Sequence, residues 1–168
     1  MRLLLVVSLA LGGCGGPSTS TLGARQDRGA SIVAQMEQHD SYVSTERAID
    51  DALNRPTGPD YPAAIGIVER STRAPLQKDL DIGDLLLSAC RDGVPLCTGP
   101  QTAQQGLARL VRVATTQGED REIAAGHLSR WYTNGARSAL LPDPRQAACW
   151  AAVRSGTSVA ARCVTSAP

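Results

Sequence analysis

The chain contains no phenylalanine, and its only aromatic side chains are Tyr42, Tyr61, Trp131, Tyr132 and Trp150 in 168 residues. A core made under that restriction must be filled by Ala, Leu, Val and Ile. Alanine is the best helix former and carries the smallest side chain that still favours a helix, so an Ala-rich chain with scattered Leu favours helices lying close together. The length suits one modest domain.

The pattern along the chain agrees. Ile32, Val33 and Met36 make a weak helical stripe between Ser31 and Gln38, and Thr45 reads as an N-cap before a helix carrying Ala48, Ile49, Ala52 and Leu53. Pro56-Thr57-Gly58-Pro59 ends that helix. Asp60 caps the next, with Pro62 in its first turn and Ile65 and Val68 on its apolar side. After Pro75, Ile82, Leu85, Leu86, Ala89 and Cys90 recur at helical spacing until Gly93 and Pro95. Pro100 opens a helix with Ala103, Leu107, Leu110, Val111 and Ala114, and Gly118 reads as its C′ residue. Asp120 reads as the cap of a helix with Ala124, Leu128 and Trp131, and Asp143-Pro144 starts another that Gly156 stops. Ser158 to Cys163 is expected to form one more short turn. Nothing reads as a strong strand.

Gly118 and Gly156 lie 38 residues apart and end equivalent helices. A period of that size in a helical chain points to stacked helical pairs. Ala124, Leu128, Tyr132 and Gly135, followed by Asp143, Ala147, Ala148, Trp150 and Gly156, resemble one Sel1-like repeat, a relative of the tetratricopeptide repeat. Gly83, Leu87, Gly93, Ala108 and Gly118 resemble a poorer copy that lacks the aromatics. The expected fold class is therefore all-α: short helical hairpin repeats or a small helical bundle, stapled by two disulfides. The resemblance implies a scaffold for binding protein partners.

The amino terminus sets a cellular address. Met1-Arg2 is followed by an apolar run from Leu3 to Leu11 and then Gly12-Gly13-Cys14. This is the layout of a secretory signal, and the run is too short to span a membrane, which takes about 20 residues. Leu11-Gly12-Gly13-Cys14 resembles the lipobox of bacterial lipoproteins. That resemblance implies cleavage before Cys14, a diacylglyceryl group on its thiol and an acylated amine. Several acyl chains anchor stably where one does not. Gly15 rather than Asp after the cysteine implies an outer-membrane anchor facing the periplasm. Residues 1–13 are thus expected as a signal peptide, 14–29 as a flexible tether of Gly, Ser, Thr, Pro and charge, and 30–168 as the helical domain.

Lipid on Cys14 leaves Cys90, Cys97, Cys149 and Cys163, an even number for an oxidising compartment. Three pairings are possible. The local ones, Cys90 with Cys97 and Cys149 with Cys163, are favoured because each closes a short loop rich in turn residues. The spacings of six and thirteen intervening residues lack the close pairs of zinc sites, so no metal and no cofactor is expected.

The net charge of +1 argues against a nucleic-acid binder, which carries a basic excess. The charge is uneven: residues 37–92 hold eleven acids and six bases, and residues 101–168 four acids and eight bases. The imbalance reads as two ordinary solvated faces or as a bipolar surface that orients a partner. No nucleophile constellation, Gly-x-Ser-x-Gly elbow, phosphate loop or calcium loop is present. His39 and His127 stand alone, and Asp79, Asp81 and Asp84 read as helix-start acids. The expectation is a non-enzymatic, lipid-anchored interaction module, with Trp131, Tyr132, Trp150, Arg130, Arg137 and Arg145 as the contact set for another envelope protein. An immunity or inhibitor lipoprotein directed at a secreted toxin is the alternative, and a cell-envelope enzyme a second.

Overall fold

The computed structural model describes the backbone of residues 20–165, with side chains at 31 and from 34 to 165. The expected signal peptide 1–13, the expected lipidation site Cys14 and residues 15–19 and 166–168 lie outside the described residues. The chain divides into two compact units, Met1–His39 and Asp40–Pro168. The second holds every helix except the first part of the longest one.

Seven helices, and no strand, are found among the described residues: α1 (Ser20–Leu53), α2 (Tyr61–Arg70), α3 (Pro75–Asp92), α4 (Pro100–Thr115), α5 (Asp120–Asn134), α6 (Pro144–Arg154) and α7 (Ala160–Thr165). The fold is all-α, with the local disulfides Cys90–Cys97 and Cys149–Cys163. Proline stands in the first turn of α2, α3, α4 and α6, where its missing N–H costs nothing and its fixed φ fits the helix. Asp60 and Asp143 cap α2 and α6 by accepting from backbone N–H groups, as the sequence indicates. Gly93 ends α3 at φ 71 and donates back to the Ala89 and Cys90 carbonyls, the left-handed exit that glycine makes without steric cost.

Four boundaries depart from the sequence reading. α4 ends at Thr115 with Thr116 as its C-cap, so Gly118 lies one residue beyond the C′ position expected for it. α1 begins at Ser20, inside the stretch expected as tether, where Leu22, Ala24, Arg25 and Gln26 favour a helix. Thr45 is interior to α1 rather than a cap, and its hydroxyl donates to the Ser41 carbonyl at 2.8 Å, the usual way a mid-helix Thr is satisfied. Asp120 is the first residue of α5 and caps nothing through its side chain, Glu119 preceding it.

α3 buries apolar side chains on more than one side. Ile82, Leu85, Leu86 and Ala89 pack with Ile49 and Ala52 of α1 and Tyr61, Ala64 and Val68 of α2. Leu80, Leu87 and Cys90 join a second core with Leu110, Leu128, Trp131, Trp150, Val153 and Cys163. α3 packs with α4 and α5 with α6 as antiparallel hairpins, and α4 lies against α5. The closest approach is between α3 and α4. A Cβ built on Gly83 would lie 2.9 Å from the Gly106 carbonyl oxygen, and one on Gly106 2.9 Å from that of Gly83. The α5–α6 hairpin is tied by Ser129, whose hydroxyl donates to the Ala147 carbonyl at 3.0 Å, and by the Asp143 N–H, which donates to the Tyr132 carbonyl at 2.7 Å.

Candidate functional site: two clefts meeting on one helix

The acids of α3 are not helix-start acids: the helix opens at Pro75 with no acid in its first turn, and they pair with neighbouring elements instead. Asp79, buried, is paired with Arg109 at 2.6 Å and with Arg112, both on α4. Asp81 pairs with Arg73, which also holds Glu46 of α1. Asp84 lies one turn further on and faces α5. Its Oδ1 accepts from Trp131 Nε1 at 2.7 Å and Arg130 Nη2 at 2.7 Å, and lies 2.8 Å from His127 Nδ1. Burial pushes the Asp84 carboxyl up, but the bonds from His127 and Trp131 and the Arg130 charge outweigh it and hold the group below the ordinary carboxylate range. At Asp81 the balance falls the other way: burial raises it, and Arg73 does not fully compensate, with Glu46 and Asp120 adding repulsion.

A depressed carboxyl contributes stability above its unfolded value, near 3.9, that is lost as pH falls through the lower folded value. Asp84→Ala leaves the buried Trp131 N–H without its acceptor, a loss of about 1–3 kcal/mol. It should also flatten the acid limb of the stability curve. Urea unfolding followed by tryptophan fluorescence between pH 3 and 7 checks both; an unchanged acid limb would show that Asp84 is not the titrating group.

Around this hub two clefts open. The first, about 330 Å³, lies among α1, α3 and α5 and is lined by Tyr42, Glu46, Arg73, Asp81, Asp120 and His127, with Ile123 at its edge. Arg73 is almost wholly buried there, 4.7 Å from the Tyr42 ring. The second, about 490 Å³, is lined by Glu122, Ile123, Gly126, His127 and Arg130 of α5 and by Arg154 of α6. The two share Ile123 and His127. Ile123 is 50 % exposed and Tyr42 42 %. A larger groove of about 630 Å³ runs past Ile65, Ile82, Leu86 and Leu96 on the α2 side of α3.

The contact set read from the sequence is not one surface. Trp131 is 2 % exposed and Trp150 1 %, so both are core residues rather than anchors; with so few large side chains available, the core takes them. Arg91 and Arg130 lie 5.7 and 5.6 Å from the Trp131 ring centroid, within cation–π range. Tyr132 is half-buried. Arg137, at φ 51, lays its guanidinium against Gly93, where a Cβ would fall 2.1 Å from its Nη1; it clamps the α5–α6 link to the end of α3. Arg145 is exposed on the first turn of α6, and Arg130 is half-exposed although bonded to Asp84. His39 is an exposed residue of α1.

Tyr61 is a residue the sequence reading passed over. It is buried, and its O–H donates to Asp92. Burial first, then the bond to and charge of Asp92, push its phenol up to about 12. Burial also raises Tyr132, aided by Asp143. A phenol raised in the fold contributes stability up to its unfolded value, near 10, that is lost as pH rises to the folded one. Absorbance at 295 nm should therefore show tyrosine ionisation delayed past pH 10, with the latest step missing in Tyr61→Phe. A single midpoint at 10 in the folded protein would contradict the buried pair.

Chemically, Asp84 and His127 form a carboxylate–imidazole pair, but Asp84 is shared with two other donors and no Ser, Thr or Cys lines either adjoining cleft. Among the described residues no group of three or more His, Cys, Asp or Glu is placed to hold a metal ion. No described helix is long and apolar enough to cross a membrane. The sequence matches no protein-family model, no curated protein and no solved structure.

Proposed function

We propose that the chain is a protein-binding module built from degenerate Sel1-like helical hairpins, held by lipid on Cys14 at the periplasmic face of the outer membrane, and that it grips its partner along the outer face of α5. The observation that carries the reading is the half-exposed Ile123 standing between two charged clefts. An apolar contact rimmed by polar and charged groups is the usual anatomy of a protein interface. The disulfides suit an oxidising compartment, and the lipobox resemblance supplies the anchor.

Two measurements test it in the source bacterium. Cys14→Ser is expected to move the protein from the membrane fraction to the soluble one and to end metabolic labelling with an alkyne fatty acid; continued labelling would remove the anchor from the proposal. A photo-reactive residue at position 123 is expected to cross-link one partner stoichiometrically, whereas one at the exposed Thr133, nearly three turns away on α5, does not. No cross-link at 123 from the folded protein would overturn the interface. A secreted toxin as the captured partner would make the protein an immunity lipoprotein.

A further inference from the structure

Most arginines near the hub are spoken for: Arg73 by Glu46 and Asp81, Arg109 and Arg112 by Asp79, Arg130 by Asp84. Arg154 is different. It is exposed at the last turn of α6 and lines the second cleft, yet among the described residues it has no ion pair or hydrogen bond. Its position is set by Gly126. A Cβ there would meet Arg154 Cδ at 3.3 Å, Nε at 3.5 Å and Cζ at 3.7 Å, so the stem and guanidinium rest on the bare backbone of α5. Glycine inside a helix costs about 0.8–1 kcal/mol relative to alanine, and here it gives the guanidinium a seat beside His127 and Arg130.

Arg130 spends Nη2 on Asp84, which fixes the guanidinium and leaves most of its five donors uncommitted. His127 is held at Nδ1 by the same carboxylate. The cleft therefore presents two guanidiniums and an imidazole around about 490 Å³, with Glu122 its one carboxylate and Ile123 its apolar rim. Planar guanidinium forks match a carboxylate in geometry as well as charge. A free anion would leave Ile123 uncovered; a peptide would not.

We infer that this cleft receives the carboxylate of an Asp or Glu on the partner protein, next to an apolar residue that covers Ile123. The inference rests on the interface proposed above and names what that interface reads. Its test uses the full lipidated chain in detergent, oxidised, with a fluorescein-labelled acetyl-Leu-Glu-Glu-Leu amide peptide followed by anisotropy. Binding is expected to fall about tenfold or more when both Glu are changed to Gln, and by a similar factor in Arg154→Gln, the scale of a lost charge-assisted bond. Arg145→Gln, on the same helix but outside the cleft, should bind as the parent does, and Glu122→Gln should bind more tightly. Circular dichroism identical to the parent's establishes that each variant is folded.

Equal affinity for the Gln peptide, or an unchanged Arg154→Gln, overturns the inference. Tighter binding in Arg154→Gln with weaker binding in Glu122→Gln would assign the cleft to a cation instead and overturn it too. Competition by inorganic phosphate at the peptide's own affinity would reduce it to a small-anion site. If position 123 still cross-links a partner in Arg154→Gln, the interface stands and only its acidic preference fails. If the peptide binds as expected and nothing cross-links, the interface fails and the carboxylate site stands.

Discussion

Replacing Gly106 with valine is expected to leave no cooperative unfolding transition, and Gly106→Ala to lower stability by about 1–3 kcal/mol, the usual cost of forcing atoms into a filled core. The geometry leaves little room for relief. The added Cβ would meet the Gly83 carbonyl oxygen and Leu87 Cγ, each at 2.9 Å, with the Leu86 Cβ behind them at 3.4 Å. The first of these is backbone, and Leu87 is fully buried, so the helices themselves must part. Gly83→Ala meets the same obstruction from the other side, at the Gly106 carbonyl and the Leu110 side chain. The double variant should cost less than the two single losses added, because one separation of α3 from α4 relieves both. Gly126→Ala is the contrast: its Cβ meets only the flexible side chain of the exposed Arg154, Cδ nearest at 3.3 Å, and a gain of up to about 1 kcal/mol from helix propensity is expected. Urea unfolding followed by circular dichroism measures all five. A Gly106→Ala protein as stable as its parent would mean that α3 and α4 do not touch backbone to backbone.

The second large effect is expected at Cys149–Cys163. Opening a loop of this size by Cys149→Ser/Cys163→Ser removes about 3 kcal/mol in the chain-entropy account. The bond joins α6 to α7. α7 has six residues, far below the roughly 12–15 at which a helix begins to hold by itself in water. Cys163 and the buried Ala160 are among its attachments. Backbone amides of 160–165 should lose hydrogen-exchange protection in the variant while those of α3 keep theirs. Opening Cys90–Cys97, whose loop is half as long, should cost roughly half a kcal/mol less. Retained protection in α7 after Cys149→Ser/Cys163→Ser would show that packing alone holds it.

Where several helices start and stop was legible because proline and glycine act locally: Pro100, Gly93 and the Asp143-Pro144 pair each fix φ or satisfy an end group without help from distant residues. The disulfide pairing was legible for the same reason, since both bonds close short loops. Partnership between helices was not. The sequence reading put Asp79, Asp81 and Asp84 at a helix start, but α3 opens at Pro75, more than a turn before Asp81, and nothing local shows that each meets a different neighbour. The surplus acid of residues 37–92 and the surplus base of 101–168 looked like two outer faces. In the fold they partly meet each other across helix interfaces, at Asp79 with Arg109 and Arg112 and at Asp84 with Arg130. The tryptophans were misplaced by a related gap: Trp131 and Tyr132 are adjacent, and only the position of α3 decides that Trp131 is the one enclosed.

A long array of helical hairpins is modular, because each unit touches only its neighbours and one can be gained or lost between them. α3 denies this protein that freedom. Its opposite sides close two separate cores, so removing the segment through α2 would uncover Ile82, Leu85, Leu86 and Ala89, and ending the chain after α3 would uncover Leu80 and Leu87. Neither fragment can inherit an intact half. Lengthening by whole hairpins is open to this architecture only beyond α3, and shortening is not.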